Sequence, residues 1–238
     1  MRERTEYRSE RVALVTGASR GLGEAFSEML ARQGFHVVAT ARTEGALAAL
    51  SDRINNSGRQ STAIAADITS SDQMQQLCRA IYDRWRRLDL FVHAAVHAPP
   101  LSPVVHGEIA DVKKAVEVNC TATWELITYV APLLSLAKPA AAVFFEDDRA
   151  GQKFFGGYGS SKAFQIAVVR SWQREITTRS ELRVEIMKPK PMATESRRRF
   201  FPGEDRSRLA TPESEAIRLY GLLRHTGSEL SFPDGDKD

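Results

Sequence analysis

A short apolar β-type run, Val12 to Thr16, breaks into Gly17-Ala18-Ser19-Arg20-Gly21-Leu22-Gly23. Glu24 to Arg32 follows with helical periodicity and stops at Gly34. Strand, glycine turn and helix in that order constrain the fold more than any other stretch of the chain. Glycines let a backbone approach a pyrophosphate closely, and the free N–H groups and dipole of a helix start favour an anion. The spacing is Gly-x-x-x-Gly-x-Gly and not the commoner Gly-x-Gly-x-x-Gly. A bare turn would satisfy the same letters, so the rest of the chain has to decide.

That remainder alternates. His36 to Thr40 reads as a strand, Thr43 to Asn56 as a helix and Ser61 to Ala66 as a strand. Ser70 to Arg86 is an amphipathic helix with Leu77, Ile81 and Trp85 inward, and Leu88 to Ala94 is a fourth strand. After an irregular loop through Pro103, Ile109 to Leu136 reads as one long helical region carrying Asn119, with Pro132 a candidate kink. Ala140 to Phe145 is a fifth strand, a helix runs from Tyr158 to about Thr178, and Leu182 to Met187 is a sixth strand. A last helix covers Pro212 to Leu223, and a seventh strand could form near Leu230 to Phe232. The pattern predicts an α/β fold: a Rossmann-type, doubly wound parallel β-sheet of six or seven strands flanked by helices. Ligands then belong at the carboxyl ends of the strands. Residues 1–10 read as a charged leader, and 11–238 as a single domain without linker or repeat.

Bulk composition narrows the class. With 238 residues, 42% hydrophobic and 26% charged, the chain can bury a full core. A net charge of +3 does not call for nucleic acid, and no groove-reading motif is present. No apolar run reaches the ~18 residues of a membrane span, and the opening residues are too charged for a signal peptide. Cys78 and Cys120 stand apart, as packed thiols of a reducing compartment do. A cytoplasmic protein is expected. His93, His97 and His106 flank one loop, but no cysteine or carboxylate spacing supports a metal, and they read as solvated histidines.

Two features bear on chemistry. An acidic residue after the second strand commonly binds a ribose 2′-hydroxyl of NAD. Here Arg42 stands at the strand end and Arg20 lies in the glycine turn, two cations suited to a 2′-phosphate, so NADP(H) is expected over NAD. Both could equally be solvated loop arginines. Further on, Tyr158 and Lys162 are four residues apart and share a helix face. A tyrosine with a pKa near ~10 must fall by roughly three units to exchange protons near neutrality, and an adjacent ammonium supplies part of that shift.

Taken together these pieces resemble the short-chain dehydrogenase/reductase family over nearly the whole chain. Thr16 to Gly23 matches its Thr-Gly-x-x-x-Gly-x-Gly cofactor motif, Asp67-Ile68 its adenine-contacting pair, and Asn119 its helix asparagine. Tyr158 and Lys162 match its Tyr-x-x-x-Lys signature, and Thr194 its nicotinamide-amide threonine. The resemblance implies a cofactor site of Gly17, Ser19, Arg20, Gly21, Leu22, Gly23, Arg42, Asp67, Ile68, Lys162 and Thr194. It also implies a mechanism. Tyr158 protonates a carbonyl oxygen as the nicotinamide gives hydride, while Lys162 lowers the tyrosine pKa and binds the ribose. Asn119 holds a water in a relay through the lysine. A small carbonyl or alcohol substrate, a homodimer or homotetramer, and a substrate lid over about 190–210 are implied too. Arg197, Arg198 and Arg199 fall in that lid, where they could grip an acidic substrate or simply form a charged face.

Three departures qualify the resemblance. The family's Asn-Asn-Ala-Gly is His93-Ala94-Ala95-Val96, and its Pro-Gly after the sixth strand is Pro189-Lys190. The position of the family's serine, thirteen residues before the tyrosine, is Phe145, followed by Glu146, Asp147 and Asp148. Losing one such donor can cost ~10²–10³ in rate. Glu146 or Asp147 could replace the serine as a protonated carboxyl, Glu146 being the first candidate, or the trio could be a solvated loop. The expected function is therefore an NADP(H)-dependent oxidoreductase. The alternative is a cofactor-binding sensor or scaffold with impaired catalysis.

Overall fold

The computed structural model describes residues 10–176 and 181–225. Six strands form one sheet: β1 (Arg11–Thr16), β2 (Phe35–Ala41), β3 (Ser61–Ala65), β4 (Leu90–His93), β5 (Ala140–Phe145) and β6 (Leu182–Met187). Their order is β3-β2-β1-β4-β5-β6, and every pairing is parallel. Leu14 in β1 stands opposite Val38 on one side and Phe91 on the other.

Parallel strands buried on both faces need apolar residues at nearly every position, and β1 supplies them in alternation. Ala13 and Val15 join the layer built by α1 (Gly21–Arg32), α2 (Glu44–Asn56) and α8 (Pro212–His225). Val12 and Leu14 join the opposite layer, built by α3 (Ser71–Trp85), α5 (Ala122–Leu134) and α6 (Gly156–Glu175). Phe26, Leu30 and Leu50 fill the first core; Leu77, Ile81, Leu126 and Val169 fill the second. Strand order reverses between β1 and β4, so the crevice that such sheets use for ligands opens at the carboxyl ends of those two strands.

The long helical region expected over Ile109 to Leu136 runs unbroken from 109 to 134. α4 (Ile109–Val116) passes through a π turn at Glu117–Thr121 into α5. A π turn carries an extra residue per turn and is frequent at functional sites, and Asn119 lies within it. Pro132 falls inside α5 without ending it. A short helix, α7 (Glu195–Phe200), is capped by Thr194, whose Oγ1 accepts from the Arg197 amide at 3.3 Å. The leader (apart from Glu10) and the seventh strand near 230–232 lie outside the described residues. Among the described residues no helix is long and apolar enough to cross a membrane, and no His/Cys/Asp/Glu group is arranged to hold a metal.

Candidate active site

The glycine turn after β1 is set by close approach. Gly17 has φ +68°, and a Cβ there would sit 2.6 Å from the Ala95 amide nitrogen. A Cβ on Gly23 would sit 2.3 Å from the Gly17 carbonyl oxygen. Backbone at these distances cannot yield, so the turn requires both glycines. It brings the start of α1 to the wall of a cavity of about 770 Å³ at the carboxyl ends of the strands.

All eleven expected cofactor residues line this one cavity, as do Tyr158 and Glu146. Asn119 does not. Arg42 follows β2, and its charge lies close enough to act on Asp67. Burial pushes the Asp67 carboxyl up, but two hydrogen bonds from Thr69 (2.9 and 2.8 Å) and the Arg42 charge outweigh it, leaving a net fall. His97 contributes an orphan: its Nε2 is buried without a hydrogen-bond partner among the described residues, on a side chain that lines the cavity. A polar atom left so in a cavity wall is suited to a polar ligand group.

Tyr158 and Lys162 stand in the wall at 8% and 6% exposure. Their helix is fixed by contact, since a Cβ on Gly159 would meet the Arg149 carbonyl oxygen at 2.2 Å. The tyrosine does not sit in the field expected for it. Its hydroxyl donates to Asp147 Oδ2 at 3.0 Å, and burial together with the Asp147 charge raises its pKa well above the usual value. Lys162 Nζ instead donates to the Phe145 carbonyl oxygen at 2.8 Å and to Gln165 Oε1. Burial brings the lysine down to about 8.

Glu146, the first candidate for the role of the family's serine, lines the cavity but pairs with Arg170 at 2.8 Å. Asp147 occupies the place beside the tyrosine instead. It is not a freely solvated loop residue, because Arg149 Nε holds its other oxygen at 3.2 Å. The difference arises in the turn leaving β5, where successive side chains fan to opposite sides and spacing alone does not say which one returns to the site.

Asn119 is likewise committed. Its Oδ1 accepts from the His97 amide at 2.8 Å, and its Nδ2 donates to the His97 carbonyl at 2.8 Å and to Ser161 Oγ at 2.9 Å. The side chain staples the loop after β4 to α6, using both Nδ2 hydrogens and one of the two acceptor sites of Oδ1.

Sequence reasoning missed the polar chain behind Lys162. Gln165 Oε1 accepts from Lys162, and its Nε2 donates to Thr123 Oγ1 at 2.8 Å. Thr123 passes its single hydrogen to the Asn119 carbonyl at 3.0 Å. It must therefore accept from His93 Nε2, 3.1 Å away, which leaves His93 Nδ1 to accept from Thr16 Oγ1 at 2.8 Å. His93 is thus no solvated loop histidine but a neutral, fully satisfied core group at 3% exposure. His97 is partly buried, and His106 alone of the three is exposed. The only signal for the chain was that His93 falls inside an apolar strand.

Burial, aided by the Lys162 charge, lowers the His93 pKa to about 3. The unfolded chain takes up that proton near ~6.5. His93 therefore contributes stability that is fully present above that pH and lost as pH falls below it, at about 1.4 kcal/mol per unit. Denaturant titration at pH 5 should show a loss of about 2 kcal/mol from this source relative to pH 7.5. His93→Asn should remove that share of the slope. An unchanged pH dependence in the variant would place the titration elsewhere.

Comparison with known proteins agrees with this architecture. The sequence model of the family described as short chain dehydrogenase matches residues 11–205. The uncharacterized oxidoreductase YciK of Escherichia coli is 31% identical over 240 residues, covering 96% of this chain and 94% of that protein. A YciK structure superposes with a TM-score of 0.84, at 30% identity, over 94% of this chain and 91% of that one. A metagenomic short-chain oxidoreductase in complex with NADP has a TM-score of 0.77 and 25% identity, covering 94% of each chain. The glycine betaine reductase ATRR of Emericella nidulans is 29% identical over 229 residues, which is 95% of this chain but 17% of that protein. The chain belongs to the short chain dehydrogenase family of oxidoreductases.

Proposed function

We propose that the protein is an NADP(H)-dependent oxidoreductase that interconverts a carbonyl compound and its alcohol. The observation that carries this reading is that Tyr158 and Lys162 stand in the same cavity as the glycine turn, Arg20 and Arg42. The chain's residues fit a phosphorylated dinucleotide. The turn from Gly17 to Gly23 offers backbone N–H groups at the α1 start, and Arg20 and Arg42 offer charge for a 2′-phosphate. Asp67, Ile68 and Thr194 line the remainder, and the unpartnered His97 Nε2 offers one more polar contact. NADPH, when bound, supplies hydride.

The chain's own work is protonic and positional. Tyr158 gives its hydroxyl proton to the carbonyl oxygen, which requires that hydroxyl to leave Asp147. Arg149, the cation whose charge favours ionised Tyr158, supports the resulting phenolate, and Lys162, still largely protonated at neutral pH, stands one turn on in the same helix. Gln165 and the Phe145 carbonyl hold the ammonium in place. Asn119 fixes the His97 loop that walls the cavity. Glu146 is removed to Arg170, so the donor role expected of it has no partner there. The Tyr158–Asp147 bond also supports the second reading, a cofactor-binding sensor with little catalysis, because that bond opposes proton release.

Binding and turnover separate the two readings. NADPH should bind more tightly than NADH, and Arg42→Asp should lower NADPH affinity by about 10–100-fold, the range for a charge-assisted hydrogen bond. Across a panel of ketones and aldehydes at least one compound should be reduced at the expense of NADPH. Equal affinity for NADH would overturn the cofactor assignment, and tight NADPH binding with no reduction of any compound would favour the sensor.

A further inference from the structure

Beside the Tyr158 ring the cavity wall is aromatic. Phe155 and Tyr158 are buried together, with Phe200 and Phe201 packed on them. The Phe200 ring centroid lies 5.0 Å from that of Tyr158 and 5.2 Å from that of Phe155. Phe201 lies 6.2 Å from Phe155. Separations of this size are those of stacked and edge-to-face ring pairs. Tyr158, Phe200 and Phe201 line the cavity.

The two arginines packed on these rings are already engaged. Arg149 sits 5.2 Å from the ring centres of both Phe155 and Phe201 and is held by Asp147. Arg197 lies over Phe201 at 4.7 Å and grips both oxygens of Glu204 at 2.6 Å each. Each guanidinium spends its face on a ring and its edge on a carboxylate, a use for which arginine is suited. An anionic substrate reaching either of these arginines would have to displace its carboxylate. A flat uncharged ring would only exchange one ring contact for another.

We propose that the substrate is an uncharged aryl ketone or aldehyde whose ring stacks against Phe200 and Phe201 while its carbonyl oxygen reaches Tyr158. This rests on the oxidoreductase reading above. The carbonyl carbon gains hydride from NADPH, the carbonyl oxygen gains the Tyr158 proton, the C=O π bond becomes the C–H and O–H bonds of the alcohol, and NADP⁺ leaves. Tyr158 recovers a proton from solvent.

The test compares acetophenone, 4-acetylbenzoate and butan-2-one as substrates for wild type, Phe200→Ala and Phe200→Tyr, with saturation-transfer NMR of each compound on the NADP⁺-loaded protein. Wild type should reduce acetophenone with the highest kcat/KM. Phe200→Ala should raise the acetophenone KM relative to that of butan-2-one by about tenfold, the order expected for one lost ring pair. Phe200→Tyr should restore it. Preference for butan-2-one or acetylbenzoate in wild type, or a Phe200→Ala effect equal for all three, would overturn the proposal and leave the oxidoreductase reading intact. Acetophenone bound by wild type but not by Phe200→Ala, with no compound reduced, would support the ring site and count against hydride transfer. No reduction and no acetophenone binding would overturn both.

Discussion

Tyr158→Phe is expected to lower NADPH-dependent turnover by about 10²–10⁴-fold, the range for loss of a positioned general acid. The substitution removes one oxygen from a side chain that is 8% exposed and already ringed by Phe155 and Phe200. Packing should survive, because phenylalanine keeps the ring and its contacts. The lost bond is the one to Asp147, whose other oxygen stays on Arg149. NADPH affinity should therefore hold, since Lys162 keeps its bonds to Phe145 and Gln165. Between pH 6 and 9 the profile should keep its shape, because burial and Asp147 hold the Tyr158 phenol well above that window in wild type. Steady-state rates from pH 6 to 9, with NADPH binding measured alongside, decide the matter. Wild-type turnover in the variant would remove Tyr158 from the reaction.

The parts legible in the sequence are those whose reason is local. Gly17 and Gly23 are demanded by backbone approach within one turn, and the strands announce themselves as apolar runs because both faces are covered. Tyr158 and Lys162 share a face through helix periodicity alone. What could not be read depends on partners far away in the chain. His93 looks like a loop histidine until Thr16 and Thr123, from two other elements, close on both its nitrogens. Gln165 has no meaning without Lys162 on one side and Thr123 on the other. The π turn at Asn119 is concealed by helical periodicity, because a single added residue changes the phase without breaking the apolar pattern. Glu146 and Asp147 are neighbours of like charge, and the turn after β5 alone assigns one to Arg170 and the other to Tyr158.

That assignment leads to the second large effect, which runs in the opposite direction. Asp147→Asn should raise turnover at neutral pH by about tenfold or more. Asp147 acts on Tyr158 twice: its charge disfavours the phenolate, and its oxygen binds the proton that must be transferred. Each pKa unit of such opposition amounts to about 1.4 kcal/mol. Asparagine keeps the shape, removes the charge and brings an N–H₂ donor to a place where the developing oxyanion has none from Asp147, an effect of up to ~10²–10³ in other sites. Burial still holds the tyrosine above its ordinary value, so the gain is partial. The variant's pH–rate profile should move to lower pH, because the limb set by Tyr158 falls once the neighbouring charge is gone. Lys162 should move the same way, since Asp147 is the first of the charges that support its protonation. Loss of the Arg149 partner adds a structural cost, which Arg149→Met measures separately. If Asp147→Asn lost activity while Arg149→Met kept it, Asp147 would be serving the reaction as a proton-bearing acid, and the tyrosine's partner would be its helper.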